Sequence, residues 1–166
     1  DASARLLKVS LANTLAAAVL MPYDRFQASA KDSGYDIARL QARFGVSFEQ
    51  AAHRLTTLSK PGARGVPFFM IRLDQAGNIS KRFAADAFPF ARGGGSCPRW
   101  RLHSVFTTPG QITRQIVETP DGRRWFTLSR TVERPTHVDW RGGTSERHDL
   151  AVGLGCELTH ASRLIY

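Results

Sequence analysis

The 166 residues suit one medium domain or two small ones, with enough chain to bury a core without metals or disulfides. Hydrophobic residues make up 42% and charged residues 22%, which excludes collagen-like, low-complexity and mostly disordered chains. The formal charge is +9, and the basic side chains comprise 19 Arg against 4 Lys, a balance suited to bidentate grip on phosphate or carboxylate.

Leu7, Leu11, Leu15 and Val19 recur every four residues and predict a first helix ending at Met21, because Pro22 disfavours helical geometry in the residue before it. Ile37, Leu40 and Phe44 mark a second helix, with Asp36 as its cap and Gly45 as its stop. Ser47 and Gln50 form a capping box for a third, whose buried face is Phe48, Ala52, Leu55 and Leu58. The breaker run Lys60 to Gly65 then divides a helical segment, 1–60, from an α+β segment, 61–166. Val66 to Asp74 and Ile79 to Phe83 read as a hairpin around Gln75–Ala76–Gly77–Asn78. Ile112 to Thr119 and Arg124 to Val132 read as a second hairpin around Pro120–Asp121–Gly122–Arg123. Leu150 to Leu154 adds a strand, and the Arg-, Pro- and Gly-rich stretch Glu133 to Ser145 reads as a mobile loop. The fold class expected is α+β, an N-terminal helical segment followed by a mainly antiparallel sheet with flanking helices.

The longest unbroken apolar run, Leu15 to Met21, is too short to span a bilayer, so no membrane partner is expected. Cys97 and Cys156 are the only cysteines; a reducing cytoplasmic setting and two free thiols follow.

Four constellations bear on chemistry. Ala42 to Ala52 has the look of a helix-turn-helix, which with the +9 charge gives a nucleic-acid-binding alternative; a helical hairpin packed on the first helix is the plainer reading. Gly93–Gly94–Gly95–Ser96–Cys97–Pro98–Arg99–Trp100–Arg101 combines backbone freedom with a Pro-started helix running toward Phe106, flanked by Arg92, Arg99 and Arg101. Such a stretch makes either an anion cradle or a flexible surface loop. Cys97 and His103 are a nucleophile and base in principle, against a structural thiol. Cys156 and His160, four apart, would share a helix face at metal-binding spacing, against simple packing. No HExxH or Gly-x-Ser-x-Gly pattern occurs, and no enzyme activity is expected.

The segment Ala12 to Pro22, followed by Phe44–Gly45–Val46–Ser47 and Arg54–Leu55, resembles the helical tail of ImmA/IrrE-type zinc metallopeptidases, without the zinc motif. Leu20 to Phe26, Gly94 to Trp100, Gly153 to Cys156 and His160–Ala161 resemble the short-chain fatty acyl-CoA transcriptional regulators over nearly the whole chain. That second resemblance implies an effector domain that binds CoA or short-chain acyl-CoA, homo-oligomerisation, and control of short-chain fatty acid metabolism genes. It also implies DNA contact through a helix-turn-helix domain upstream of Asp1, and a [4Fe-4S] cluster ligated largely from a Cys-rich segment beyond Tyr166, with Cys156 as one ligand. The effector, acetyl-CoA or propionyl-CoA, is expected beside the glycine run, held by Arg92, Gly94, Gly95, Ser96 and Arg99 and lined by Phe83 and Trp100.

Overall fold

The computed structural model describes residues 2–85, 88–91, 96–133 and 149–166. Four helices, α1 (Ala2–Leu20), α2 (Tyr23–Asp32), α3 (Ile37–Phe44) and α4 (Phe48–Leu55), precede five strands. These are β1 (Phe69–Leu73), β2 (Ile79–Ala84), β3 (Thr113–Glu118), β4 (Arg124–Glu133) and β5 (Asp149–Glu157). They form one antiparallel sheet in the order β2-β1-β5-β4-β3, so the α+β expectation holds.

The local chemistry of the helices is as the sequence requires. Asp36 accepts from the amides of Ala38 and Arg39, Gly45 closes α3 at φ +63°, and Ser47 and Gln50 complete the capping box of α4. α2 was not anticipated: Pro22 starts it, Phe26 and Ala30 bury its inner face, and its polar remainder hides the periodicity. The apolar stripe of α1 faces solvent, with Leu7, Leu11, Leu15 and Val19 all more than half exposed, while Ala17 makes the contact to the core. Ser3 to Leu20 is, by length and composition only, long and apolar enough to cross a membrane. Run lengths missed this because Arg5, Lys8, Ser10, Asn13 and Thr14 interrupt the apolar residues without lowering their average far enough.

Strand β5 lies at the centre of the sheet and is buried on both faces. Val152, Leu154 and Cys156 join Met70, Phe126 and Leu128 against α2, α3 and α4 in one core. Ala151, Gly153 and Gly155 face the other way, where Phe69, Ile71, Leu102 and Trp125 pack. Gly155 has no room for a side chain, since a Cβ there would lie 2.5 Å from Phe69 Cζ. The C-terminus ties back to the helices: the Ile165 amide donates to the Gly34 carbonyl and the Ile37 amide to the Tyr166 hydroxyl.

Two local expectations fail. Pro98 does not open an α-helix: the chain turns with the Trp100 amide on the Cys97 carbonyl, and two short 3-10 turns follow, Arg101–His103 and Val105–Thr107. Trp100 is the cause, because its backbone is extended (ψ 124°) while its ring inserts into the sheet face, and Leu102 and Val105 follow at the three-residue spacing a 3-10 turn buries. Cys156 and His160 do not share a helix, since one lies in β5 and the other in the 3-10 segment Leu158–Arg163.

Candidate functional site

On the sheet face away from the helices, the segments Phe88–Ala91 and Ser96–Trp100 cover a cavity of about 420 Å³. Its aliphatic surface comes from Ile71, Ile79 and Val117 on β1, β2 and β3. Its aromatic surface comes from Phe88, Phe90 and Trp100. Phe88 stacks on Phe69 at 3.7 Å between ring centres and meets Trp125 edge-on at 5.0 Å, which fixes the segment by its own side chains. The small residues of β5 permit this arrangement, because a Cβ at 155 would overlap the Phe69 ring and one at 153 would crowd Leu102 and Ile71 at 3.1 Å.

Polar contacts hold the rim. Arg82 Nη1 donates to the Ala91 carbonyl at 2.7 Å. Gln115 on β3 accepts from the Arg101 amide at 2.8 Å and donates to the Arg99 carbonyl, so that strand positions the turn carrying Arg99 and Trp100. The Trp100 indole donates to the Thr127 hydroxyl, which in turn donates to the Gln115 carbonyl. Arg99 stands exposed at the rim, and among the described residues no carboxylate pairs with it.

Of the residues singled out in the sequence, Ser96, Arg99 and Trp100 meet at this cavity. Arg92, Gly94 and Gly95 lie outside the described residues, as does almost all of the Glu133 to Ser145 stretch. Phe83 does not join them. It pairs with Met70 in the β1–β2 register and so points to the helical face, where its ring lies 4.3 Å from that of His53. Its neighbour Arg82, one residue out of phase, takes the cavity side. Phe88, Phe90 and Gln115 escaped the sequence reading; the Phe–Pro–Phe run Phe88–Pro89–Phe90 after β2 was the available signal. His103, paired with Cys97 on paper, places its Nε2 2.7 Å from Ser96 Oγ instead.

The absence of an α-helix at Pro98 removes the expected row of free helix-start amides, and among the described residues the cationic groups at this rim are the guanidiniums of Arg82 and Arg99.

The helix-turn-helix alternative loses its readers. Glu49 is held by Arg72 at 2.8 Å and Lys81 at 2.6 Å, and Gln50 closes the capping box. His53 lies on Phe83, and Arg54 is buried with its Nε donating to the Met21 carbonyl. α4 thus commits these polar side chains to contacts within the chain, although Gln50 itself stays exposed.

A [4Fe-4S] cluster takes four thiolates. Cys97 is exposed at the cavity, whereas Cys156 is fully buried among apolar side chains of the helical core. Burial pushes the Cys156 thiol up to about 12. The described residues offer no group of three His, Cys, Asp or Glu side chains able to hold a metal, and Cys156, the one ligand expected here, is a protonated thiol within the apolar core.

Comparison with known proteins matches residues 57–166 to the family model "Short-chain fatty acyl coenzyme A regulator, C-terminal" and residues 6–56 to "IrrE N-terminal-like domain". The chain is 49% identical over 163 residues to the propionyl-CoA carboxylase regulator of Cereibacter sphaeroides, covering 97% of this chain and 34% of that protein. It is 48% identical over 159 residues to the HTH-type transcriptional regulator PrpR of Mycobacterium tuberculosis, covering 96% of this chain and 32% of that one. A solved Mycobacterium tuberculosis transcriptional regulator superposes with a TM-score of 0.89 at 46% identity, over 97% of this chain and 48% of that structure. The chain spans about a third of the curated relatives it matches. With both segments matched in order and the fold shared throughout, the chain belongs to the short-chain fatty acyl coenzyme A regulator family.

Proposed function

We propose that this chain is the effector-sensing part of a cytoplasmic bacterial transcription regulator, and that the cavity on the free face of its sheet binds CoA or a short-chain acyl-CoA. The carrying observation is the cavity itself: about 420 Å³, walled by Phe88, Phe90, Trp100 and aliphatic side chains, with Arg82 and Arg99 at its rim. That size lies within the range of small-molecule sites. A CoA thioester presents an aromatic base, several phosphates and an apolar acyl end. The aromatic rings offer stacking surface to the base, the guanidiniums offer charge-assisted donors to phosphate, and Ile71, Ile79 and Val117 exclude water from a two- or three-carbon chain. The likeness to the propionyl-CoA carboxylase regulator of Cereibacter sphaeroides supports propionyl-CoA metabolism as the regulated process. DNA contact belongs in this reading to other segments of a homo-oligomeric whole protein.

Thermal unfolding of the full-length regulator with acetyl-CoA or propionyl-CoA tests this. Ligand at about 100 times its Kd stabilises by roughly 2.7 kcal/mol, a rise of about 5–10 °C if this 166-residue part melts as its own unit and about 3 °C if the whole regulator melts as one. Arg99→Ala should shrink the rise, whereas Arg39→Ala, exposed on α3, should leave it unchanged. An equal rise with inorganic phosphate at matched ionic strength would defeat the reading, because a +9 chain answers to any anion.

A further inference from the structure

Ser96 Oγ and His103 Nε2 stand 2.7 Å apart, both part-buried, and Ser96 lines the cavity. Seven residues separate them in sequence. The turn at Cys97 and the burial of Trp100 bring them together, and Gly77 on the β1–β2 turn lies behind the imidazole. A hydroxyl within hydrogen-bond reach of an imidazole nitrogen is the nucleophile–base contact on which an activated serine depends. We propose that Ser96 and His103 transfer the acyl group of a short-chain acyl thioester in this cavity to the Ser96 hydroxyl and then to water; the proposal rests on the reading of the cavity as a thioester site.

The step balances without any other reactant but water. Ser96 Oγ attacks the thioester carbonyl carbon while His103 Nε2 takes the hydroxyl proton. The carbon–sulfur bond breaks, the proton passes from His103 to the sulfur, and free thiol leaves an acyl ester on Ser96. Water then attacks the ester as His103 takes its proton. The carbon–oxygen bond breaks, the proton returns to Ser96 Oγ, and a carboxylic acid departs. Among the described residues no carboxylate orients His103, so turnover is slow by the standard of a full triad. Slow hydrolysis suits a sensor: the effector signal then lasts only while the thioester is replenished.

The test uses the full-length regulator and propionyl-CoA, followed by thioester absorbance and by mass spectrometry of the digested protein. Thioester loss is expected, together with one propionyl group on Ser96. Ser96→Ala should abolish both, and His103→Gln, which keeps a polar partner but accepts no proton, should slow thioester loss by about 100-fold or more. Should Ser96→Ala not fold, Ser96→Cys replaces it and should hold the acyl group as a protein thioester. A non-hydrolysable thioether analogue of propionyl-CoA measures binding separately. Binding of the analogue without thioester loss, or an acyl group found only on Cys97, overturns the dyad and leaves the effector reading standing. No binding of the analogue overturns both.

Discussion

Replacing Gly155 by Ala tests the packing that shapes the cavity. The added Cβ would sit 2.5 Å from Phe69 Cζ, 2.7 Å from Cε1 and 2.8 Å from the Phe126 carbonyl oxygen, where ordinary contact begins at 3.4 Å. The ring cannot simply withdraw, because Phe88 stacks on it at 3.7 Å and Trp125 meets it edge-on at 5.8 Å. The carbonyl belongs to β4, the neighbouring strand, and is fixed by the ladder. Overpacking of this kind costs typically 1–3 kcal/mol, and with both a ring and a backbone atom in the way about 2–3 kcal/mol is expected. At this chain length that lowers Tm by about 4–12 °C. Calorimetry or circular dichroism reads the shift. The double variant with Phe69→Leu should recover part of the loss, since it removes the ring edge but leaves the carbonyl contact. An unchanged Tm in the single variant would refute the placement of Phe69 over β5, and with it the seat of the aromatic wall.

Three further outcomes follow from the helical side and the thiols. Arg54→Ala should cost about 2–3 kcal/mol in denaturant melts, because it strands the buried Met21 carbonyl and the Thr57 hydroxyl contact, while leaving any affinity for duplex DNA unchanged. For Glu49, burial pushes the carboxyl up, but the Lys81 hydrogen bond and the charges of Lys81 and Arg72 outweigh it and hold it below its ordinary 4.5. Its ion pairs therefore stabilise fully above about pH 4.5 and less as pH falls through the lowered value, so the roughly 1 kcal/mol deficit of Glu49→Gln at neutral pH should fade on acidification. A thiol reagent near neutral pH should find one reactive cysteine, Cys97, in the native protein and two after denaturation; two in the native state would mean that Cys156 is not buried as described.

Much of this architecture was legible because it rests on local chemistry. The Asp36 and Ser47 caps, the Gly45 stop and both hairpin turns are decided by a few neighbouring residues, and the structure keeps them. What escaped is decided by tertiary packing. Nothing local says that Trp100 abandons helical geometry to fill the sheet face, and that choice alone converts an expected helix start into 3-10 turns. Phe83 and Arg82 show how finely strand phase matters: one step along β2 exchanges the helical core for the cavity. His103 was paired with the thiol at 97 because both carry chemistry, whereas the fold delivers it to the hydroxyl at 96.

The double-sided burial of β5 bears on how loss-of-response alleles of such a regulator will distribute. From Leu150 to Cys156 every residue is buried, and the two sets that alternate along the strand serve different layers. A missense change there harms folding whichever way it points, so its carriers lose the protein rather than its ability to hear the effector. If the cavity is the effector site as proposed, alleles that remain abundant yet deaf should cluster away from the central strand, at the cavity-lining residues Arg82, Phe90, Arg99 and Gln115.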